Sequence, residues 1–441
     1  MHWPSIRKYI AVICYLALMA IASFEIKQSH FNSLLFFLLT GFTWCIYFSK
    51  NQLTFRQLLG VGIVVRLFFI LHSPSLSDDF YRFLWDGLVC LDGYNPYQYT
   101  PSQLMELIGN NPKYLDIYTA LNSPEYYSVY PPLSQAVFTI SAWLSGPYPF
   151  VFQLILGSIF VFTDALLLFC LKFLLGTLQL SPSWLPLYFL NPFVVIEFCG
   201  NLHFDLFLGL GIVLGLVFLF KKKYLLSTAV MIGATGIKPQ FILIVPFLLL
   251  LSPTKKNKVH MGMIYIIGCA FLYFPLILSS GQLGFDDSLD LYFRKFEFNG
   301  SLYLLFRWIG FKITGFNAIG VVGPLMAAVA TVLIFSLFYR AWTIRNAAEN
   351  NRSLLILAAG TFTIYLLFAT TVHPWYLLPL LLIGIFIEAK WILLWSFTIM
   401  WSYAFYDPEY HNYHEIIGLS GYALPLVFYI LEWHKKRETS S

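Results

Sequence analysis

The sequence predicts an all-α polytopic membrane protein, and three observations carry that prediction. Of 441 residues, 59% are hydrophobic and 11% are charged, whereas a soluble domain carries roughly a quarter charged residues. Aromatic residues reach 19%. Apolar runs long enough to cross a bilayer recur along the whole chain, with no polar block of soluble-domain size between them. A soluble globular protein, a disordered chain, a disulfide-stapled module and a single-span receptor are all excluded. One integral-membrane domain over residues 1–441 is expected.

The first apolar run, Tyr9 to Phe24, follows Arg7 and Lys8 and reads as an uncleaved first span with the N-terminus inside. Runs at Phe31–Ser49 and Phe55–His72 follow, so residues 73–130 fall outside as the first extracytoplasmic loop. Basic clusters at Lys221–Lys223, Lys255–Lys258, Arg340–Arg352 and Lys435–Arg437 read as cytoplasmic. That assignment puts Asn201–Asp205, Gly236–Gln240, Ser279–Phe316, His373–Tyr376 and Tyr406–Glu415 on the opposite face, where acidic and histidine residues concentrate. Three apolar runs lie near 131–146, 150–172 and 183–199, where parity demands an even number of crossings. One of them is expected to be broken or re-entrant. The runs suggest about 12–14 spans of ~20 residues each, with both termini cytoplasmic. No period of about 20–50 residues marks a repeat architecture.

The net charge of +5, from 27 Lys+Arg and 22 Asp+Glu, reports those cytoplasmic loops, and no nucleic-acid partner is expected. Of the six cysteines only Cys90 lies outside an apolar run, and none forms a Cys-x-x-Cys pair. Neither a disulfide framework nor a metal site is expected from them. The spacing His-Glu-x-x-His is absent as well.

The first loop carries the strongest chemical signal. It reads Ser77-Asp78-Asp79-Phe80-Tyr81-Arg82-Phe83-Leu84-Trp85-Asp86-Gly87 and runs on to Gly93-Tyr94-Asn95-Pro96-Tyr97. Ser77 suits an N-cap, the two acids suit the positive end of a helix dipole, and Gly93 suits a stop. Phe80, Phe83, Leu84, Leu88 and Leu91 form an apolar stripe, and Asp79, Arg82 and Asp86 share a polar flank. An amphipathic helix in the interface is expected. Its acids either accept a proton from a reacting hydroxyl or merely cap and solvate the helix. Two adjacent acids repel, so one binds a proton more readily.

These motifs resemble the first outer loop of the GT-C superfamily of glycosyltransferases. The likeness is to bacterial polyprenyl-phosphate-sugar-dependent mannosyltransferases, including family 87-like members. Tyr130-Pro131-Pro132-Leu133-Ser134-Gln135 is similar to the element that follows the loop in those enzymes. Asn201-Leu202-His203-Phe204-Asp205, Gly236-Ile237-Lys238-Pro239-Gln240 and His373-Pro374-Trp375-Tyr376 resemble their later motifs, in a fitting order. The resemblance implies a GT-C-like helical bundle and an active site on the extracytoplasmic face. It implies a polyprenyl-phosphate sugar donor, most simply of mannose, a glycan or glycolipid acceptor, and inverting transfer. It places the base at Asp79 or Asp78, with Asp79 favoured by its flank. Some members bind a divalent metal and others do not, so no metal or other cofactor is assigned. A bacterial inner membrane is the preferred setting.

The later motifs each keep a plain alternative. Lys238 either holds the donor phosphate or snorkels at the headgroups. His203 and Asp205 either bind sugar hydroxyls or start a helix. His373 is a candidate for phosphate contact, while Trp375 and Tyr376 either stack on a sugar or belong to an aromatic belt. Arg66, Asp164 and Glu197 sit in apolar runs at a cost of about 2.5–3.5 kcal/mol each, which calls for partners, Asp78 or Asp79 being open to Arg66. The acidic stretch Phe285–Gly300 reads as a lid, an acceptor loop or a linker. Two other functions compete: a transporter or flippase of a lipid-linked saccharide, and a ligase or polymerase using a diphosphate-linked donor. Transporters place ionisable groups at the midplane, whereas these acids cluster at one face.

Overall fold

The computed structural model describes residues 3–51, 53–109, 111–278, 296–344 and 350–438. Helices run through them, and no strand forms among the described residues. In chain order the first are α1 (Trp3–Glu25), α2 (Phe31–Lys50), α3 (Phe55–Ile70) and α4 (Asp79–Leu91). Two short helices, α5 (Pro101–Ile108) and α6 (Pro112–Thr119), complete the loop before α7 (Pro132–Ser145) and α8 (Pro149–Thr177). Next come α9 (Trp184–Phe189), α10 (Pro192–Val194) with a π-helical turn at Val195–Gly200, α11 (Asp205–Phe220) and α12 (Tyr224–Ile237). A 3-10 turn at Pro239–Leu243 leads to α13 (Val245–Leu250) and α14 (Lys255–Leu278). The chain closes with α15 (Ser301–Thr314), α16 (Ile319–Ile344), α17 (Asn350–Phe368), α18 (Leu378–Phe386), α19 (Lys390–Thr398) and α20 (His414–Glu438).

Among the described residues six helices are long and apolar enough to cross a membrane, in α1, α2, α8, α16, α17 and α20. The protein is an integral membrane protein of the all-α polytopic type. Of the runs that suggest about 12–14 spans, six give such helices among the described residues, or seven if one bent pair counts as a single span, and others build shorter helices such as Tyr224–Ile237. Proline is one reason, since it cannot donate to the preceding turn: Pro192 and Pro239 each begin a new helical segment. The segments Pro192–Gly200 and Asp205–Phe220 pass the span test only together, bent by 116°. The third run, near 183–199, is therefore the broken one. At that bend Leu202 takes φ +60°, a left-handed conformation that costs a β-carbon-bearing residue.

The chain divides into two compact units. The first comprises Met1–Val65, Leu171–Glu197 and Phe293–Ser441. Within it the Tyr15 hydroxyl donates to the Leu190 carbonyl at 2.6 Å, and the backbone N–H of Phe31 donates to Asp407 Oδ2 at 2.8 Å. Glu197 is fully buried and accepts a hydrogen bond from the Tyr403 hydroxyl at 2.8 Å. Arg307 joins Glu297 and Glu415. Of the acidic stretch 285–300, residues up to 295 lie outside the described residues, while Phe298 and Asn299 bridge to Thr371.

The second unit comprises Arg66–Cys170 and Phe198–Tyr292. Here α4 lies against α7 so closely that a β-carbon on Gly87 would sit 2.5 Å from the Phe138 carbonyl oxygen. Likewise α11 lies on α12, where a β-carbon on Gly211 would meet Ala234 Cβ at 2.4 Å. Arg66 pairs with Asp164, through Nε at 2.8 Å and Nη2 at 2.5 Å, and both side chains are fully buried. The sequence left Asp78 or Asp79 open as its partner; a carboxylate on α8 takes that place, and it neutralises two charges that hydrocarbon would penalise.

Candidate functional site

The first turn of α4 holds the paired acids. The helix starts at Asp79 with Asp78 at the cap position, one residue later than the expected Ser77 cap. The Ser77 hydroxyl still serves the helix end, accepting from the Asp79 backbone N–H at 3.3 Å. Asp78 is exposed and Asp79 half-buried. Partial burial and the neighbouring Asp79 charge raise the pKa of Asp78 above its ordinary value. Asp79 Oδ1 receives a long 3.5 Å contact from Asn122 Nδ2.

Arg82 and Asp86 do not share an open polar flank with Asp79. They turn inward: Arg82 is 4% exposed and Asp86 is fully buried. Arg82 Nε donates to Asp86 Oδ1 at 2.7 Å, while Arg82 Nη1 donates to the carbonyls of Tyr126, at 2.8 Å, and Ser123, at 3.2 Å. Asp86 Oδ2 accepts from the Ser128 hydroxyl at 2.5 Å and from Gln135 Nε2 at 2.8 Å. This network clamps residues 123–128 to α4. Helical phase misses it because the partners come from the loop and α7, although the i,i+4 spacing of Arg82 and Asp86 is itself a pairing signal. Ser128 escaped the sequence reading, and Gln135 was visible only as part of the Tyr-Pro-Pro motif.

That motif and the earlier Asn95-Pro96-Tyr97 are tied directly. The backbone N–H of Ser128 donates to the Pro96 carbonyl at 3.0 Å, and the Tyr97 hydroxyl donates to the Tyr130 carbonyl at 2.5 Å. Pro132 then opens α7 at its first position, where the missing N–H costs nothing.

The bend at 201–205 reaches the same region. Asn201 Oδ1 accepts from the Leu76 backbone N–H at 3.1 Å, just before the acids. Phe204 packs edge-on against Phe83 of α4 at 5.3 Å and Phe138 of α7 at 4.9 Å. Asn201, His203 and Asp205 are all buried. Lys238 caps the C-terminal end of α12, and its ammonium lies 2.9 Å from Asp205 Oδ2. Gly236–Gln240 is thus a helix end running into a 3-10 turn. Ser134 of α7 fixes it by donating to the Ile237 carbonyl at 2.9 Å. A β-carbon on Gly236 would meet the side-chain ends of Leu272 and Leu133, which would have to shift to admit it.

Asp78, Asp79, Arg82, Asp86, His203, Asp205 and Lys238 therefore all belong to the second unit, linked by a chain of contacts. Two buried donors in that chain, Arg82 Nη2 and Asn201 Nδ2, have no hydrogen-bond partner among the described residues. Such a group costs about 1–3 kcal/mol, which an incoming ligand oxygen would recover. His373, Trp375 and Tyr376 belong to the first unit. There His373 is sandwiched in near-parallel stacking by Trp375 at 4.4 Å and Phe298 at 4.9 Å. Trp375 is 7% exposed, so one face of its indole is spent on His373 and it is no headgroup belt residue. Tyr376, half-buried, meets His373 edge-on.

Among the described residues no three His, Cys, Asp or Glu side chains converge as a metal ion would need. Asp86 of α4 is paired with nitrogen and hydroxyl donors, and no step is assigned to a metal.

No curated protein and no solved structure matches the chain. Residues 25–254, slightly more than half of the sequence, match the family model described as the N-terminal domain of alpha-(1->6)-mannopyranosyltransferase, and they include every site residue of the second unit. The chain belongs to this MptA_B family of mannosyltransferases.

Proposed function

We propose that the protein transfers mannose from a polyprenyl-phosphate donor to a hydroxyl of a glycan or glycolipid acceptor on the extracytoplasmic face, with inversion. The observation that carries this reading is the Asp78–Asp79 pair at the first turn of α4. It stands outside the buried Arg82–Asp86 network, at the polar edge of a membrane protein of a mannosyltransferase family. A carboxylate there takes the acceptor proton as the hydroxyl oxygen attacks the anomeric carbon. The bond from that carbon to the phosphate oxygen breaks, and the lipid phosphate leaves with the electron pair. A single displacement inverts the anomeric centre. Asp79 is the favoured base and Asp78 its neighbour in charge.

Lys238 supplies positive charge for the departing phosphate. Its contact with Asp205 orients the ammonium until an anion competes for it. Asp86 and Arg82 hold residues 123–128 and the acid-bearing turn in place, and Arg82 keeps Nη2 for an oxygen of the donor phosphate. Tyr376 and His373 are candidate contacts for the sugar or phosphate. The setting proposed is a bacterial inner membrane.

Purified protein in nanodiscs, given radiolabelled polyprenyl-phosphate sugars and a membrane extract as acceptor, tests the reading. General-base removal costs about 10²–10⁴-fold, so Asp79→Asn should lower turnover of the mannosyl donor by that factor. Wild-type rates in both Asp79→Asn and Asp78→Asn would remove the base from this helix. Donor appearing across the bilayer without product would turn the reading toward transport.

A further inference from the structure

A shallow basin of about 490 Å³ opens on the 73–130 loop, lined by Gln98, Tyr99, Gln103, Glu106, Leu107 and Tyr127. Gln98, Tyr99, Gln103, Glu106 and Leu107 lie apart from the partners of Asp86 described above. We propose that this basin is an acceptor subsite that binds a neutral pyranose unit of an oligosaccharide, one or more residues away from the sugar that is glycosylated. The inference rests on the transferase reading above and names where its acceptor is held.

The chemistry of the lining selects the ligand. Tyr99 offers an exposed ring face and Tyr127 a second, half-buried ring, which suit the C–H face of a pyranose. Gln98, Gln103 and Glu106 offer donors and acceptors for its hydroxyls. The carbonyl of Gln103 is already used, accepting from the Thr100 backbone N–H at 3.0 Å in a capping box, so its NH₂ remains as the donor. Among the described residues no basic side chain lines the basin, while Glu106 does, so the phosphate of a lipid donor is disfavoured there. A neutral polyol fits; an anion does not.

The basin is also built, not incidental. Its two walls, α5 and residues 124–127, are joined where the Ser102 backbone N–H donates to the Pro124 carbonyl at 3.0 Å and its hydroxyl donates to Glu125 at 2.5 Å. Tyr127 stands between Tyr126, whose carbonyl binds Arg82, and Ser128, whose hydroxyl binds Asp86. The subsite wall is therefore fastened to the helix that begins with Asp78 and Asp79. An oligosaccharide seated on Tyr127 is held by the same clamp that positions the acids, and longer acceptors gain binding through it.

Binding and turnover together test this on the full chain in nanodiscs, with mannose, mannobiose and mannotetraose as probes. Saturation-transfer NMR without donor should show mannotetraose bound by wild type and about tenfold weaker in Tyr99→Ala and Tyr127→Ala. In transfer assays the same variants should raise KM for mannotetraose about tenfold, leaving kcat and the donor KM near wild type. Phe at either position, which keeps the ring, should bring the KM back toward wild type, and unchanged melting temperatures would exclude misfolding. Wild-type KM in both alanine variants while transfer proceeds overturns the subsite and leaves the transferase reading intact. Tyrosine-dependent binding with no transfer keeps the subsite and removes that reading. Absence of oligosaccharide binding in wild type overturns the subsite outright, and tighter binding of anionic lipid vesicles through Tyr99 and Tyr127 would reassign the basin to headgroups.

Discussion

Burial and the adjacent Asp79 carboxylate push the Asp78 acid above its ordinary range, so the folded chain keeps a proton there to a higher pH than the unfolded chain does. The sign follows from the linkage. The contribution of Asp78 to stability is fully present below the unfolded carboxylate pKa and is lost as pH rises through its raised folded value. At neutral pH the ionised group is a net cost. Asp78→Asn should therefore melt higher than wild type at pH 7 in detergent, and the difference should vanish below about pH 4, near the unfolded carboxylate pKa. A lower melting point for the variant at pH 7 would contradict this account. Asp86 is the opposite case, because both its oxygens are paired inside the protein. Asp86→Ala strands the buried Arg82 charge and should cost about 3–5 kcal/mol, measured by denaturant unfolding. Transfer should fall with it, since residues 123–128 lose their clamp.

At the scale of elements, the seam between α4 and α7 sets where the acids stand. Gly87→Ala would press a methyl against the Phe138 backbone, which cannot swing aside as a side chain can. Overpacking of this kind costs about 1–3 kcal/mol. Gly60 in α3 has nothing within 4 Å of a built β-carbon, so Gly60→Ala should gain about 0.5–1 kcal/mol from helix propensity. Comparing the two unfolding midpoints separates packing from propensity, and equal shifts would refute the seam. Much of α4 was legible in advance: the Ser-Asp-Asp start, the stop near Gly93, and the burial of Phe80, Phe83, Leu84 and Leu88. The inward turn of Arg82 and Asp86 was not legible, because Ser128 and Gln135 lie 42 and 49 residues from Asp86 and no periodicity records such a pairing. The same holds for Lys238 with Asp205, and for Arg66, whose partner on α8 is 98 residues away. Broken helices escaped for a related reason. A run such as 183–199 is apolar throughout, and only Pro192 hints that it cannot continue straight.

For the whole molecule, charge is distributed so as to give one orientation. Lysines crowd the α11–α12 turn at Lys221–Lys223 and the start of α14 at Lys255, Lys256 and Lys258, whereas the 73–130 loop carries Asp78, Asp79, Asp86, Asp92, Glu106, Asp116 and Glu125. Positive loops favour the cytoplasmic side, so the orientation we propose turns the acid-bearing loop the other way, toward the acceptor hydroxyl and the lipid donor of the proposed reaction. Exposed positions on each side make this measurable. Asp116 on α6 and Lys256 on α14 are both exposed. Single cysteines placed there, as Asp116→Cys and Lys256→Cys in a background with the six native cysteines replaced, should behave oppositely. A membrane-impermeant maleimide added to intact cells (outer membrane permeabilised) should label position 116 and spare 256 until the bilayer is opened. Labelling of 256 first would invert the topology and move the acids to the cytoplasmic side, where soluble nucleotide sugars become available as donors. The orientation thus decides the donor class: only an extracytoplasmic site, cut off from the nucleotide pool, requires a sugar carried across on a lipid phosphate.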